Sequence, residues 1–108
     1  SGDDLLTLPL TLMGGSGAIS VIANSHPQDF SDMVRAALGN DCDLANTLHF
    51  KLIEYIGALF EEGSPAGIKA ALSVMGLCKN ELRLPLVSVS DEQKEKIKKL
   101  LDKLKNVD

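Results

Sequence analysis

Few side chains in this sequence could do chemistry, and their spacing limits what that chemistry is. Two carboxylates, Asp3 and Asp4, follow Gly2. Beside a glycine such a pair can serve the rim of a substrate pocket, or either acid can accept the free amide hydrogens of a helix's first turn. His26 precedes Pro27 and His49 lies inside a helical pattern, and neither has a second ligand at metal spacing. Cys42 and Cys78 form no CxxC and no metal-type pair, so they read as reduced thiols of a cytosolic protein. The run Gly14, Gly15, Ser16, Gly17 lacks the lysine of a phosphate loop and follows a helix, not a strand. Met13, Met33 and Met75 read as core or interface filler. These residues point to no metal and no cofactor.

Composition narrows the class further. The chain has 108 residues, which suits one domain, and is 44% hydrophobic but only 4% aromatic, which gives an aliphatic core. Its net charge of -4 and pI of about 5.1 leave no basic patch for nucleic acid. The lysines of 94–105 are interleaved with Glu95 and Asp102 and preceded by Asp91 and Glu92, the pattern of a solvated helix face. No apolar run reaches the ~20 residues of a membrane span. The first residues are acidic, unlike a signal peptide. The expectation is a cytoplasmic protein with no membrane partner.

The elements that must position these residues are mostly helices. The first covers 4–13, although Pro9 pushes its regular part back to about Thr7. The second, over 27–38, has Pro27 at its first position and an apolar stripe of Phe30, Met33, Val34, Ala37 and Leu38. The third, over 42–61, starts after Asp41 and buries Leu48, Leu52, Ile56 and Leu59 or Phe60. A fourth is capped by Ser64, has Pro65 in its first position and runs to Met75. The stretch 80–89 is extended, with Pro85 preventing a helix. The last helix opens on a capping box, Ser90 with Gln93, and carries Ile97, Leu100, Leu101, Leu104 and Val107 as its stripe.

Residues 18–24 are the anomaly. Ile19, Val21 and Ile22 are β-branched within a nearly continuous apolar run, which predicts a strand buried on both faces, as in parallel sheets. A lone parallel strand has no partners, and a helix–strand–helix start belongs to an alternating α/β pattern. Left as an open edge, the segment would drive self-association. Read from its residues alone, the chain is a small, mostly helical domain, an interaction or oligomerisation module without catalysis.

Five segments in register change that reading. "SGDD", "LTLP", "GAISVIAN", "SPAGIKAAL" and "LRLPLV" together resemble the C-terminal part of the dihydrodipicolinate synthase / N-acetylneuraminate lyase family of class I aldolases. The resemblance covers essentially the whole chain. It implies a (β/α)8 barrel followed by a helical extension, and such a barrel takes about 250 residues. The chain is then mainly α: residues 1–39 form the last βα portion of the barrel, with 18–24 as its eighth strand, and 40–108 form the extension. In that family a lysine on an earlier strand forms a Schiff base with pyruvate, while a tyrosine and two threonine hydroxyls relay protons. On the synthase side, towards which "GDD" and "LRLPL" lean, the second substrate is aspartate semialdehyde and the product feeds lysine and cell-wall biosynthesis. The resemblance puts all these catalytic groups outside this chain. Lys51 and Lys69 are not the Schiff-base lysine, and Tyr55 is not the relay tyrosine, so the chain alone is expected to be inactive.

Two substrate-site positions do carry over. Gly2 matches the glycine ending strand seven, where backbone approaches the substrate. Ile19 matches the strand-eight residue that lines the pyruvate pocket and whose carbonyl tunes the lysine. Asp3 serves the same rim or caps the first helix, and the cap is the preferred reading. Many members carry Asn where Ser64 stands, and both residues cap helices. The family also implies a homo-oligomer, with Met13 near where subunits meet.

Overall fold

The computed structural model describes residues 1–105. A short 3-10 turn, Asp4–Leu6, runs into α1 (Thr7–Leu12). There follow a second 3-10 turn, Ile22–Asn24, then α2 (Pro27–Leu38), α3 (Cys42–Phe60), α4 (Ala66–Val74) and α5 (Asp91–Lys105). The packing divides into two compact units between Ile53 and Glu54, inside α3.

In the first unit α1 packs on α2, and α2 on the Ile22–Asn24 turn. Leu8, Ile22, Phe30, Met33, Ala37 and Leu52 are buried. Pro9 falls in the first turn of α1, where its missing N–H costs no intrahelical bond. As expected, the regular helix begins at Thr7. Gly14, at φ 110°, turns the chain away after α1 so that the Gly15 N–H reaches the Leu10 carbonyl at 2.9 Å. Pro27 opens α2. After Gly39 the left-handed residue is Asn40, at φ 63°, and the Asp41 carboxylate accepts the Leu44 N–H at 3.2 Å to start α3.

The expected strand over 18–24 is not formed, and no strand occurs among the described residues. Strands exist only as pairs, and here a single residue supplies pairing. The Ser1 amino group donates to the Gly17 carbonyl at 2.8 Å, and the Ile19 N–H donates to the Ser1 carbonyl at 2.8 Å. One residue bonding to both flanks of its opposite number, Ala18, is the pattern of a parallel ladder. It stops after one rung. Beyond it the β-branched residues give way to the 3-10 turn, whose Asn24 and Ser25 amides bond back to Val21 and Ile22.

In the second unit α4 packs on α5, and Ile56, Leu59, Ile68, Ala71, Ile97 and Leu101 are buried. Tyr55 is also fully buried, a core residue that the apolar stripe read from the sequence left out. Two capping expectations are corrected here. Ser64 does not cap α4: Pro65 occupies the cap position without a side-chain bond, and the helix begins at Ala66. One residue into the helix, the missing Cβ of Gly67 lets α4 lie directly against the end of α3; a Cβ there would stand 1.8 Å from the Leu59 carbonyl oxygen. The capping box of α5 is half made. The Ser90 hydroxyl accepts the Gln93 N–H at 3.2 Å, but the Gln93 amide donates to the Ala58 carbonyl at 2.7 Å. Glu62 takes its place, accepting the Ser90 N–H at 2.8 Å and the Ser90 hydroxyl at 2.7 Å. Leu100 and Leu104 are half-buried, and Val107 lies outside the described residues.

Candidate functional site

The start of the first unit gathers a run of short-range polar contacts. Asp3 is the cap, its carboxylate accepting the Leu5 N–H at 3.0 Å. The Asp3 carbonyl in turn accepts the Thr7 hydroxyl at 3.1 Å, and the Thr11 hydroxyl donates to the Thr7 carbonyl at 2.7 Å. Threonines bonding back along a helix in this way keep their hydroxyls out of solvent and close to the backbone.

Asp4 does something the sequence reading did not foresee. It is 1% exposed, and its Oδ2 accepts the Ile22 N–H at 2.9 Å across eighteen residues. One carboxylate therefore ties the turn that follows Gly2 to the segment that carries Ile19. Two acids where one cap suffices was the signal available in "GDD".

Gly2 and Ile19 meet in a shallow concavity lined by Ser1, Gly2, Gly17, Ala18 and Ile19. A Cβ on Gly2 would touch nothing, and Ile19 is 88% exposed. No hydrogen bond is made by the Gly2 or Ala18 peptide groups or to the Ile19 carbonyl among the described residues. Met13 is exposed as well, at 83%, whereas Met33 is core.

The histidines lie elsewhere. His26 Nδ1 is 2.8 Å from the Ser25 hydroxyl, next to the Asp29–Lys51 ion pair of 3.1 Å that joins α2 to α3. Burial lowers the His26 imidazole below its ordinary 6.5, with Asp29 pulling it up and Lys51 pushing it down. His49 is lowered by burial alone. Glu62, although exposed, is held below its usual 4.5 by the Ser90 N–H and hydroxyl. Among the described residues no three of His, Cys, Asp and Glu cluster to hold a metal ion, both cysteines are free, and no helix is long and apolar enough to cross a membrane.

This architecture is the C-terminal portion of a (β/α)8-barrel chain with its helical extension. The family model described as the dihydrodipicolinate synthetase family matches residues 1–104, and the chain belongs to that family. It is 50% identical over 105 residues to the 4-hydroxy-tetrahydrodipicolinate synthase of Phocaeicola vulgatus, covering 97% of this chain and 35% of that protein. The dihydrodipicolinate synthase structure from Aquifex aeolicus superposes with a TM-score of 0.94 at 39% identity, over 97% of this chain and 36% of that one. A chloride-inhibited dihydrodipicolinate synthase from Acinetobacter baumannii, solved in complex with pyruvate, gives 0.93 at 34% identity, over 99% of this chain and 37% of that one. The chain thus spans about a third of the length of the relatives it matches.

Proposed function

We propose that this chain is the C-terminal third of a 4-hydroxy-tetrahydrodipicolinate synthase. The whole protein would condense pyruvate with aspartate semialdehyde through a Schiff base on a lysine outside these 108 residues. The observation that carries this reading is the 50% identity over 105 residues to a relative of that name. On this reading 1–39 is the last βα portion of the barrel and 40–108 the extension, and the whole protein is a cytoplasmic homo-oligomer of lysine biosynthesis.

In this scheme Gly2 and Ile19 line the pyruvate end of the pocket. Gly2 offers backbone without a side chain in the way, and Ile19 offers an apolar wall and a carbonyl with no competing donor. A carbonyl aimed at a lysine amine favours its positioning, and the iminium formed with pyruvate then withdraws electrons from the adjacent carbon without any cofactor. The lysines of this chain do not fit that role. Lys51 is engaged with Asp29 at 3.1 Å, in the ion pair that joins α2 to α3. On this reading Lys69 lies on α4, within the extension helices.

Borohydride reduction in the presence of pyruvate, followed by peptide mass mapping, tests this. The 108-residue chain should remain unlabelled, and the whole protein should gain one reduced pyruvate on a lysine outside it. An adduct on Lys51 or Lys69, or none on the whole protein, would overturn the reading.

A further inference from the structure

We propose that Asp4 is a positioning residue for the pyruvate end of the pocket. Its carboxyl holds Gly2 and the Ile19 carbonyl at a fixed spacing, and it does so through the backbone, without touching substrate. The proposal deepens the functional reading above and rests on it for the reaction concerned.

The geometry is a ring of backbone closed at two points. At one, the Ile19 N–H donates to the Ser1 carbonyl at 2.8 Å. At the other, the Ile22 N–H donates to Asp4 Oδ2 at 2.9 Å. Gly2 and Asp3 lie between these closures on one arm of the ring, and the Ile19 carbonyl, Ser20 and Val21 on the other. Closed at the first point alone, the two arms could swing apart about it. The Asp4 bond removes that freedom, so it sets the spacing of the two residues that line the pyruvate end.

Three further observations favour a positioning role. The second closure is made by a side chain, and so is the next bond along: the Ala23 N–H donates to the Ser20 hydroxyl at 3.1 Å. The base of the strut is itself anchored, since Asp3 accepts the Leu5 N–H on its carboxylate and the Leu6 N–H on its carbonyl, both at 3.0 Å. Last, Asp4 does not line the concavity where Gly2 and Ile19 meet. It is 1% exposed, and its Oδ1, buried as well, has no hydrogen-bond partner among the described residues. A buried polar atom with an unused acceptor costs stability, and here that cost falls on the residue that braces the pocket backbone. One oxygen carries the whole tie, so the site requires an acceptor of the right reach and not a charge.

The test substitutes Asp4 in the whole protein and measures the condensation of pyruvate with aspartate semialdehyde. Turnover is divided by the folded fraction read by circular dichroism, so that lost stability does not count as lost activity. Asp4→Leu has a similar size and no acceptor. Its turnover per folded protein should fall about tenfold or more, since a misplacement of about 1 Å can cost up to a hundredfold, and its Ile22 amide should exchange faster. Asp4→Asn can present its amide oxygen to the same N–H and should stay close to wild-type in both. Asp4→Ser, smaller than the native residue, keeps an oxygen of shorter reach; it should fall between the two, and it decides the matter where Asp4→Leu does not fold. Ser90→Ala, which loses the cap of α5, should leave turnover per folded protein unchanged. Unchanged turnover in Asp4→Leu, or in Asp4→Ser where the leucine variant does not fold, would overturn the proposal and leave the function standing. Asp4→Asn as deficient as Asp4→Leu would assign the effect to charge and overturn it too. A wild-type whole protein on which pyruvate and borohydride label no lysine removes the functional reading, and the proposal with it.

Discussion

Replacing Gly67 by alanine puts two effects of opposite sign into one methyl group. In an open helix position alanine is favoured over glycine by about 0.5–1 kcal/mol, because glycine loses more backbone entropy on folding. At Gly67 the added Cβ would stand 1.8 Å from the Leu59 carbonyl oxygen, 2.6 Å from its carbonyl carbon and 2.9 Å from its Cα. These are backbone atoms of α3, so no rotamer change relieves the clash. A relaxed C···O contact is about 3.3 Å, which requires α4 to retreat by roughly 1.5 Å. That shift would open the contacts around Ile68, Ala70 and Ala71, all buried. Overpacking of this kind costs about 1–3 kcal/mol or more, which outweighs the propensity gain. For a domain whose total stability is about 5–15 kcal/mol the loss is large. With a urea slope of roughly 1–2 kcal/mol/M, the unfolding midpoint should fall by about 1 M or more. Gly57→Ala, inside α3 in the same unit, is the matched control: a Cβ there meets nothing within 4 Å, and its midpoint should rise by a few tenths of a molar. Urea titrations followed by circular dichroism at 222 nm decide between the two signs. Gly67→Ala as stable as Gly57→Ala would show that α4 does not depend on this close approach.

Asp4→Ala should strand the buried Ile22 N–H, costing about 1–3 kcal/mol and speeding amide exchange over 20–24; unchanged exchange at Ile22 would deny the cross-tie. Acidification should destabilise the fold through His26. Its folded pKa is lowered, so between that value and the ordinary 6.5 the unfolded chain binds more protons, and stability is full above 6.5 and falls as pH drops below it. His26→Gln should flatten that part of the pH–stability curve, and an unaltered slope would assign the effect to another group. Ser90→Ala should cost about 1 kcal/mol through the lost cap on the Gln93 N–H. It should also let the Glu62 carboxyl move back up towards 4.5, read by NMR titration, since the Ser90 hydroxyl helps hold it down.

The sequence by itself determined the elements whose signals are local. Pro27 at the head of α2, Asp41 before α3 and Ser90 before α5 are residues whose side chains or ring act within one turn, and each helix starts where they stand. The apolar stripes likewise foretold Phe30, Met33, Leu52, Ile56, Ile97 and Leu101 as buried, because a 3.6-residue repeat needs only one face to cover. Family membership was also legible, from five short segments in register and not from any one of them.

Tertiary structure decided what depends on distant residues. The β-branched run at 18–24 carries strand propensity, but propensity is realised only through pairing. One rung forms beside Ser1, and Ile22 lies in a turn held by Asp4. α4 starts at Ala66 without a cap from Ser64, and Gly67 lets it meet the Leu59 backbone closely. The Gln93 amide left its capping box for the Ala58 carbonyl because α5 lies against the end of α3, and Glu62 closed the cap in its stead. Gly2 and Ile19, seventeen residues apart, share one concavity for the same reason: the rung between Ser1 and Ala18 is a long-range contact that no local pattern encodes.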